Sequence, residues 1–366
     1  MPDLVAHAAQ PRALADTYSD QLAVTLVVPL RNEQRSVDSL VRTIAFQSRP
    51  PDAVIFVDAG STDATAERVT AACAGRPGWS VEYAGRATPG RARNVGIEAA
   101  ATDWVALTDG GIELDRYWLE RMVRMTVLSP AVDVVWGHYE PAPDGWFAGC
   151  ARLAYVTPPR CGPHGPVRDR SVASCLLRRL VWEQAGRFPD LRAAEDRIFI
   201  RRVDALGVGI AVAPEAVAWW HLQAGLRQTF ARFRTYSEVN VRAGEQDRWH
   251  HRVARMYLVG IPFVVLAARH RRRWVLFPLV GAAIRVGRSI WRGREGHGLW
   301  WAAHPARFVT VAAIMATVDV ATFVGWRDSL CHPENLCHPE NLCHPENLGH
   351  PENLCHSENL CAPKVT

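Results

Sequence analysis

VALTDGGIELD, residues 105–115, is an apolar run that ends on a carboxylate and then on two glycines. Val105, Ala106 and Leu107 read as the close of a buried strand. Asp109 stands at its carboxyl end, and Gly110 and Gly111 remove the next two side chains. Glycine lets the backbone approach a neighbour or a ligand closely. What the stretch does depends on which other strand ends meet it.

Working outward, the chain from 22 to about 115 alternates apolar runs with helical spacing. LAVTLVV (22–28), AVIFV (53–57), a segment near 80–83 and WVALT (104–108) read as strands. SVDSLVRTIAFQS (36–48) places Val37, Leu40, Val41 and Ile44 at helical intervals. DATAERVTAACA (63–74) reads as a helix capped by Asp63, and a third helix is expected over 90–100. Strands alternating with helices predict a mostly parallel sheet covered on both faces. Such sheets bind ligands at the carboxyl ends of their strands.

The second half mixes its signals. DVVWGHY (133–139), SVASCLL (171–177), GIAVAP (209–214) and AVAWWH (216–221) read as strands. AAEDRIFIRRVDAL (193–206) and LRQTFARFRTYSEV (226–239) read as helices. From 257 the composition turns apolar. YLVGIPFVVLAA (257–268) and WVLFPLVGAAI (274–284) are too short to cross a bilayer alone. FVTVAAIMATVDVATFVGW (308–326) is long enough but contains Asp319. Packed core helices are one account of this region. The other is a membrane-associated end, with arginines at 269–273 and 285–294 toward anionic lipid and tryptophans at the interface. The expected organisation is a flexible leader (1–20), an α/β domain (21–245) with a break near 115 between its halves 21–115 and 116–245, and an apolar helical region (246–328).

Residues 329–366 hold five near-identical six-residue units built on CHPENL. With one Leu per unit and Pro in four, they build no core, and disorder is expected. The 366 residues are 48% hydrophobic, with a formal charge of +5. Five Glu and one Lys from 331 onward give −4, which leaves +9 on residues 1–330. Almost all of the basic residues are Arg, as codon bias would produce. Four cysteines (Cys73, Cys150, Cys161, Cys175) are scattered through the body and five lie in the tail. That is no disulfide framework and suits a reducing compartment. The first twenty residues lack the basic and apolar regions of a secretory signal, and no nucleic-acid partner is expected.

The strand ends carry the chemistry. VVPLRNE supplies Pro29, Asn32 and Glu33; VDAGSTD supplies Asp58, Gly60, Ser61 and Asp63. TPGRARNVG supplies Gly90, Arg91, Arg93 and Asn94, and the fourth strand supplies Asp109. In a parallel sheet these converge on one edge. Carboxylates suit a ribose hydroxyl, a metal or a base, and arginines and helix N-termini suit phosphate. Singly, each is explained by a turn or a cap; the ordered set describes a nucleotide pocket.

With FPDLRAAEDRIFIRRV added, the chain resembles the family 2 glycosyltransferases over roughly residues 22–240. The resemblance implies the GT-A fold, a Rossmann-like α/β architecture, here followed by apolar helices and the repeat tail. It implies a hexosyltransferase of bacterial membrane-associated type, with a uridine- or guanosine-diphosphate sugar as donor. Asp58 would contact the base or ribose, Glu33 the nucleoside and Arg93 the diphosphate. Pro29, Asn32, Ser61, Gly90, Arg91, Asn94 and Gly110 would complete the donor site. Asp109 would be the first carboxylate of the family's Asp-x-Asp metal motif, for Mg²⁺ or Mn²⁺. Asp196, beside Glu195, would be the catalytic base.

In that motif the second Asp falls at Gly111, which offers no ligand. His221 or Glu113 is a candidate to complete the site, or Arg91 and Arg93 carry more of the diphosphate charge. Asp115 is expected to cap the following helix. The leading expectation is an inverting transferase at the cytoplasmic face of the membrane, involved in cell-envelope biogenesis. Its acceptor would be lipid-linked or an envelope glycan. The alternative is a non-catalytic nucleotide-sugar-binding membrane protein. A nucleotidyltransferase is disfavoured by the lack of a glycine-rich loop with a basic residue after the first strand.

Overall fold

The computed structural model describes residues 22–331, apart from 143, 163–164, 192–193 and 243–245; the side chains of 161–167, 242–248 and 331 are also left aside. The expected leader and nearly all of the repeat tail lie outside the described residues.

The first half follows the alternation read from the sequence. Strand β1 (Val24–Leu30) leads to helix α1 (Val37–Ala45), β2 (Ala53–Asp58), α2 (Thr65–Cys73), β3 (Trp79–Tyr83), α3 (Pro89–Ala99) and β4 (Trp104–Leu107). The β-branched run of β1 is buried on both sides, as a central parallel strand requires. Helix α1 buries Val37, Leu40 and Ile44. Thr65 N–H donates to Asp63 Oδ1 at 3.0 Å. Helix α3 has Pro89 in its first turn and the Thr88 hydroxyl accepting from Arg91 N–H at 3.2 Å, a stable way to start a helix.

A short strand β5 (Ile112–Leu114) follows, then α4 (Trp118–Leu128), β6 (Val134–Pro141) and α5 (Gly145–Tyr155). A hairpin of β7 (Arg160–Gly162) and β8 (Gly165–Val167) precedes β9 (Cys175–Arg178), α6 (Arg179–Gln184), α7 (Glu195–Ala205) and β10 (Ile210–Trp220). The two strands expected over 209–214 and 216–221 are one strand, with a register shift between Val212 and Val217. Pro214 lies inside that shift, where a missing N–H is tolerated.

The eight-stranded sheet has the order β3-β2-β1-β4-β9-β6-β10-β5. The pairs β3–β2, β2–β1, β1–β4 and β6–β10 are parallel. The pairs of β9 with β4 and β6, and of β5 with β10, are antiparallel. Leu26, Val28 and Phe56 face α1, α2 and α4 in one core; Val27, Ile55 and Val57 face α3, α6 and α7 in the other. Gly96 lets α3 lie flush on the sheet: a Cβ there would stand 2.4 Å from Val27 Cγ1.

The apolar region is longer in helix than its apolar windows suggested. After α8 (Leu226–Arg242) come α9 (Gln246–Arg269), α10 (Leu276–Arg292), α11 (Leu299–Ala302) and α12 (Pro305–Cys331). Three segments are long and apolar enough to cross a membrane: Trp249–Arg269, Arg272–Arg292 and Pro305–Leu330. The first two correct the expectation that they fall short. Each has 21 residues, or about 31 Å of helix at 1.5 Å per residue. They are 6% and 11% buried, whereas the third is 39% buried, because α12 packs along α5 and α8. Asp319, inside the third segment, is 2% exposed. It accepts from Arg285 Nη2 at 2.9 Å and from the Tyr257 hydroxyl at 2.8 Å. The acid therefore clasps α9, α10 and α12 together.

Candidate functional site

The parallel register brings the strand ends together. Leu30 lies beside Asp58, and Val27 beside Leu107, so the segments after β1, β2 and β4 share one rim. A cleft of about 930 Å³ opens there. Pro29, Glu33, Arg93, Asp109, Gly110, Glu195 and Asp196 line it, which brings together seven of the residues singled out from the sequence.

Arg93 is at the centre of this group and is 4% exposed. Its Nη2 donates to Asp109 Oδ1 at 2.5 Å and its Nη1 to Glu195 Oε1 at 2.8 Å. Burial opposes the charge, but Asp109 and Glu195 outweigh it and hold the guanidinium protonated. Burial in turn pushes the Glu195 carboxyl above its ordinary value, with Arg93 pulling the other way. A phosphate would have to compete with two carboxylates for this arginine. The unengaged cations on the cleft wall are Arg31 and Arg86, for which no carboxylate partner is found among the described residues. The sequence signal for Arg86 was its place in GRATPG, just before α3, whose N-terminal Thr88 and Pro89 also line the cleft.

Glu33 explains the glycines of the opening stretch. A Cβ at Gly110 would stand 2.8 Å from Glu33 Cγ and 3.0 Å from Leu30 Cδ2. One at Gly111, whose φ is +76°, would stand 3.3 Å from Glu33 Oε2. The glutamate lies over the two glycines and accepts from the Ser36 hydroxyl at 2.5 Å. Burial raises its carboxyl pKa, despite the Ser36 bond.

Asp196 and Glu195 part company. Glu195 is buried against Arg93, while Asp196 is half-buried on the cleft wall and accepts from Arg197 N–H at 2.7 Å. Ala194, which precedes them, adopts φ +66°, a left-handed conformation that costs a non-glycine residue about 1 kcal/mol. It turns the chain so that α7 starts at the cleft. A Cβ at Gly90 would stand 2.1 Å from the Pro189 carbonyl. This glycine thus serves the packing of α3 against Pro189.

The remaining expected contacts are used to build the rim and do not line the cleft. Asp58 accepts from Gly60 N–H at 3.2 Å and from Ser61 N–H, closing its own turn. Asn32, at φ +57°, receives Thr62 N–H at 2.8 Å, and its own N–H donates to the Ser61 hydroxyl at 3.0 Å. Asn94 holds the 188 loop: its Nδ2 donates to the Phe188 carbonyl at 2.8 Å, and its Oδ1 accepts from Trp182 Nε1 and Phe188 N–H, both at 3.0 Å. Arg91 is exposed outside the cleft.

His221 is also displaced from the cleft. Its Nδ1 meets Asp144 at 2.5 Å and its Nε2 meets Glu113 at 3.3 Å. Burial works against the charged ring, but the bond to Asp144 and the charges of Asp144 and Glu113 outweigh it and raise the pKa. With both ring nitrogens facing carboxylates, His221 and Glu113 are engaged with one another and not with Asp109. Asp115 Oδ1 accepts from Tyr117 N–H at 3.0 Å at the start of α4. Among the described residues, no group of three or more His, Cys, Asp and Glu side chains is arranged to hold a metal ion.

Three wall residues come from the far helices and had no motif to announce them. Tyr236 and Asn240 belong to α8, and Trp249 to α9. Trp249 is also the first residue of the first segment apolar enough to cross a membrane.

Residues 25–154 match the model of the family described as Glycosyl transferase family 2. No curated protein matches the chain. Among solved structures, S. aureus TarS 1-349 is 17% identical, over 86% of this chain and 91% of that one, with a TM-score of 0.44. The mannosyltransferase PcManGT from Pyrobaculum calidifontis, in complex with GDP-Man and Mn²⁺, is 16% identical, over 86% and 96%, with a TM-score of 0.46. S. aureus TarS 1-349 in complex with UDP-GlcNAc is 15% identical, over 84% and 92%, with a TM-score of 0.44.

Proposed function

We propose that the glycosyl transferase family 2 domain matched over residues 25–154 works, together with α7 to α9, as an inverting transferase. It moves a sugar from a uridine- or guanosine-diphosphate donor to a hydroxyl acceptor. The observation that carries this reading is Asp196, a half-buried carboxylate at a helix start on the wall of the cleft. The rim of Glu33, Asp109 and Gly110 lines the same cleft. A general base has to stand where the proton it abstracts will be, and a carboxylate on the cleft wall meets that requirement. Asp196 takes the proton of the acceptor hydroxyl while that oxygen bonds to the anomeric carbon. The bond from that carbon to the diphosphate breaks, and the departing charge is met by Arg31, Arg86 and the N-terminus of α3.

Asp109 and Glu33 are the carboxylates on the donor side of the cleft that suit a divalent cation. Mg²⁺ is commonly held by one or two carboxylates plus substrate phosphate oxygens and water. The glycines at 110 and 111 leave room for Glu33 where a second Asp would otherwise stand. Bound there, the cation would neutralise charge on the diphosphate. Glu195 and Arg93 then act as the support that fixes Asp109 and the start of α7.

The acceptor is lipid-linked or a cell-envelope glycan presented at the cytoplasmic face of a membrane. What supports this is Trp249, which belongs both to the cleft and to an apolar segment. One observation favours a non-catalytic binder: Asp109 is paired to Arg93, and Gly111 provides no second ligand. Transfer from a panel of nucleotide sugars by the full chain separates the two. Asp196→Asn is expected to lower the rate by at least about a hundredfold while nucleotide binding persists. An unchanged rate removes Asp196 from the role of base. Binding without turnover of any donor, with Mg²⁺ or Mn²⁺ present, establishes the non-catalytic reading.

A further inference from the structure

Three arginines are at least nine-tenths buried among the described residues: Arg93, Arg168 and Arg307, at 4%, 9% and 9% exposed. Arg93 has two carboxylates. Arg168 has Glu140, with Nη2 to Oε2 at 2.7 Å and Nε to Oε1 at 3.1 Å. Arg307 has none. Its one hydrogen bond among the described residues is from Nη1 to the Trp301 carbonyl. Two ring faces lie against it, Trp301 at 3.6 Å and Trp146 at 5.1 Å from the guanidinium carbon. A buried charge normally carries a counter-charge, since its desolvation exceeds what ring faces return.

Arg307 lines a second cavity of about 350 Å³, between α5 and the segment that joins α10 to α12. Trp146, Arg152, His297 and Trp301 share its wall. Arg152 is neutralised by Glu295, so Arg307 is the arginine there that lacks a carboxylate. The floor is made of Gly145 and Gly149 on one face of α5, where an added Cβ would meet nothing within 4 Å. A glycine inside a helix disfavours that helix relative to alanine, and here it keeps space open. Arg307 also lies in the first turn of α12, where the helix dipole favours an anion. Beside the cavity, α11 exposes Leu299 at 67% and Trp300 at 90%, an apolar edge of the kind that settles at a lipid interface.

We propose that this cavity is a phosphoryl-binding site, in which a phosphate monoester supplies the missing counter-charge to Arg307 between the two tryptophans. The apolar edge of α11 favours a phosphate carried on a lipid, and free phosphate offers the same chemistry. The site is separate from the catalytic cleft and does not depend on the reaction assigned there.

The test is the thermal unfolding of the full chain in neutral detergent, with inorganic phosphate, with dihexanoyl phosphatidic acid, or with dihexanoyl phosphatidylcholine as control. Phosphatidic acid is expected to raise the midpoint by several degrees and phosphatidylcholine to leave it unchanged. A smaller rise with inorganic phosphate assigns the site to lipid; an equal rise assigns it to phosphate in solution. Two variants remove the effect by different routes. Arg307→Met removes the charge, and Gly149→Leu fills the floor without touching Arg307. Both are expected to abolish the phosphate-dependent rise while retaining the rise produced by a nucleoside diphosphate in the main cleft. Gly149→Leu guards against a folding defect, because its Cβ enters empty space. No rise with either phosphate compound, or a rise that survives both substitutions, overturns the site.

Discussion

The rim of the sheet and the apolar helices each contain a buried charge clasp, and the two are built in opposite senses. At the rim a cation, Arg93, sits between two carboxylates, Asp109 and Glu195. Among the helices a carboxylate, Asp319, sits between a guanidinium and a phenol, from Arg285 and Tyr257. Counting carboxylates against guanidiniums, the first group has one excess negative charge (two against one) and the second is balanced (one against one). A neutral clasp suits helices whose outer faces are apolar. An acidic one suits the cation that the functional reading above assigns to the cleft. The same device of pairing a buried charge thus becomes a fastener in one region and an electrostatic setting in the other.

The sharpest way to break this contrast is Arg93→Met. It leaves the buried Glu195 carboxyl without its cation, and is expected to cost about 3–5 kcal/mol of stability, read by denaturant titration. Asp319→Ala is expected to cost less, about 2 kcal/mol, since Arg285 has a third of its side chain exposed and is able to turn toward water. If the two losses come out equal, burial is not what distinguishes the clasps.

Acid sharpens the comparison with a third group, Glu140. Burial works to raise its pKa, but hydrogen bonds from His138 and Arg168 overcome it and bring the carboxyl down to about 2. Its folded pKa therefore lies below the unfolded one. The stability it contributes is present above about pH 4.5 and is lost as the pH falls toward 2. The loss amounts to about 3 kcal/mol, and Glu140→Gln is expected to flatten that part of the pH–stability curve. The smallest effect is expected at Gly110→Ala. Its Cβ displaces the Glu33 side chain for about 1 kcal/mol, and the divalent-dependent part of nucleotide binding is expected to weaken several-fold, as calorimetry would read. Unaltered cation dependence would separate Glu33 from any metal.

The two regions also differ in how far they could be read from the sequence. Parallel pairing aligns strand ends, so Asp58 and Asp109 could be placed on one rim from spacing alone. Spacing does not say where a side chain is spent. Asn94 and Gly90, read as donor contacts, are packed against Phe188 and Pro189, and Arg93 faces inward to Asp109 and Glu195. Tyr236, Asn240 and Trp249 reach the cleft from two distant helices, with no local pattern to mark them. Strand β5 is three residues long, and β10 absorbs its proline through a register shift. Helices α9 and α10 outrun their apolar windows because polar ends such as Trp249–Arg255 and Arg285–Arg292 continue the same helix.

Trp249 gives the cleft one wall that is also the root of the apolar helix pair α9 and α10. On the functional reading given above, the cleft and the helix pair form a single lever. A change in bilayer thickness that tilts α9 also moves a side of the reaction chamber. Turnover would then respond to acyl-chain length as well as to donor supply, and the acceptor would arrive by diffusion within a plane.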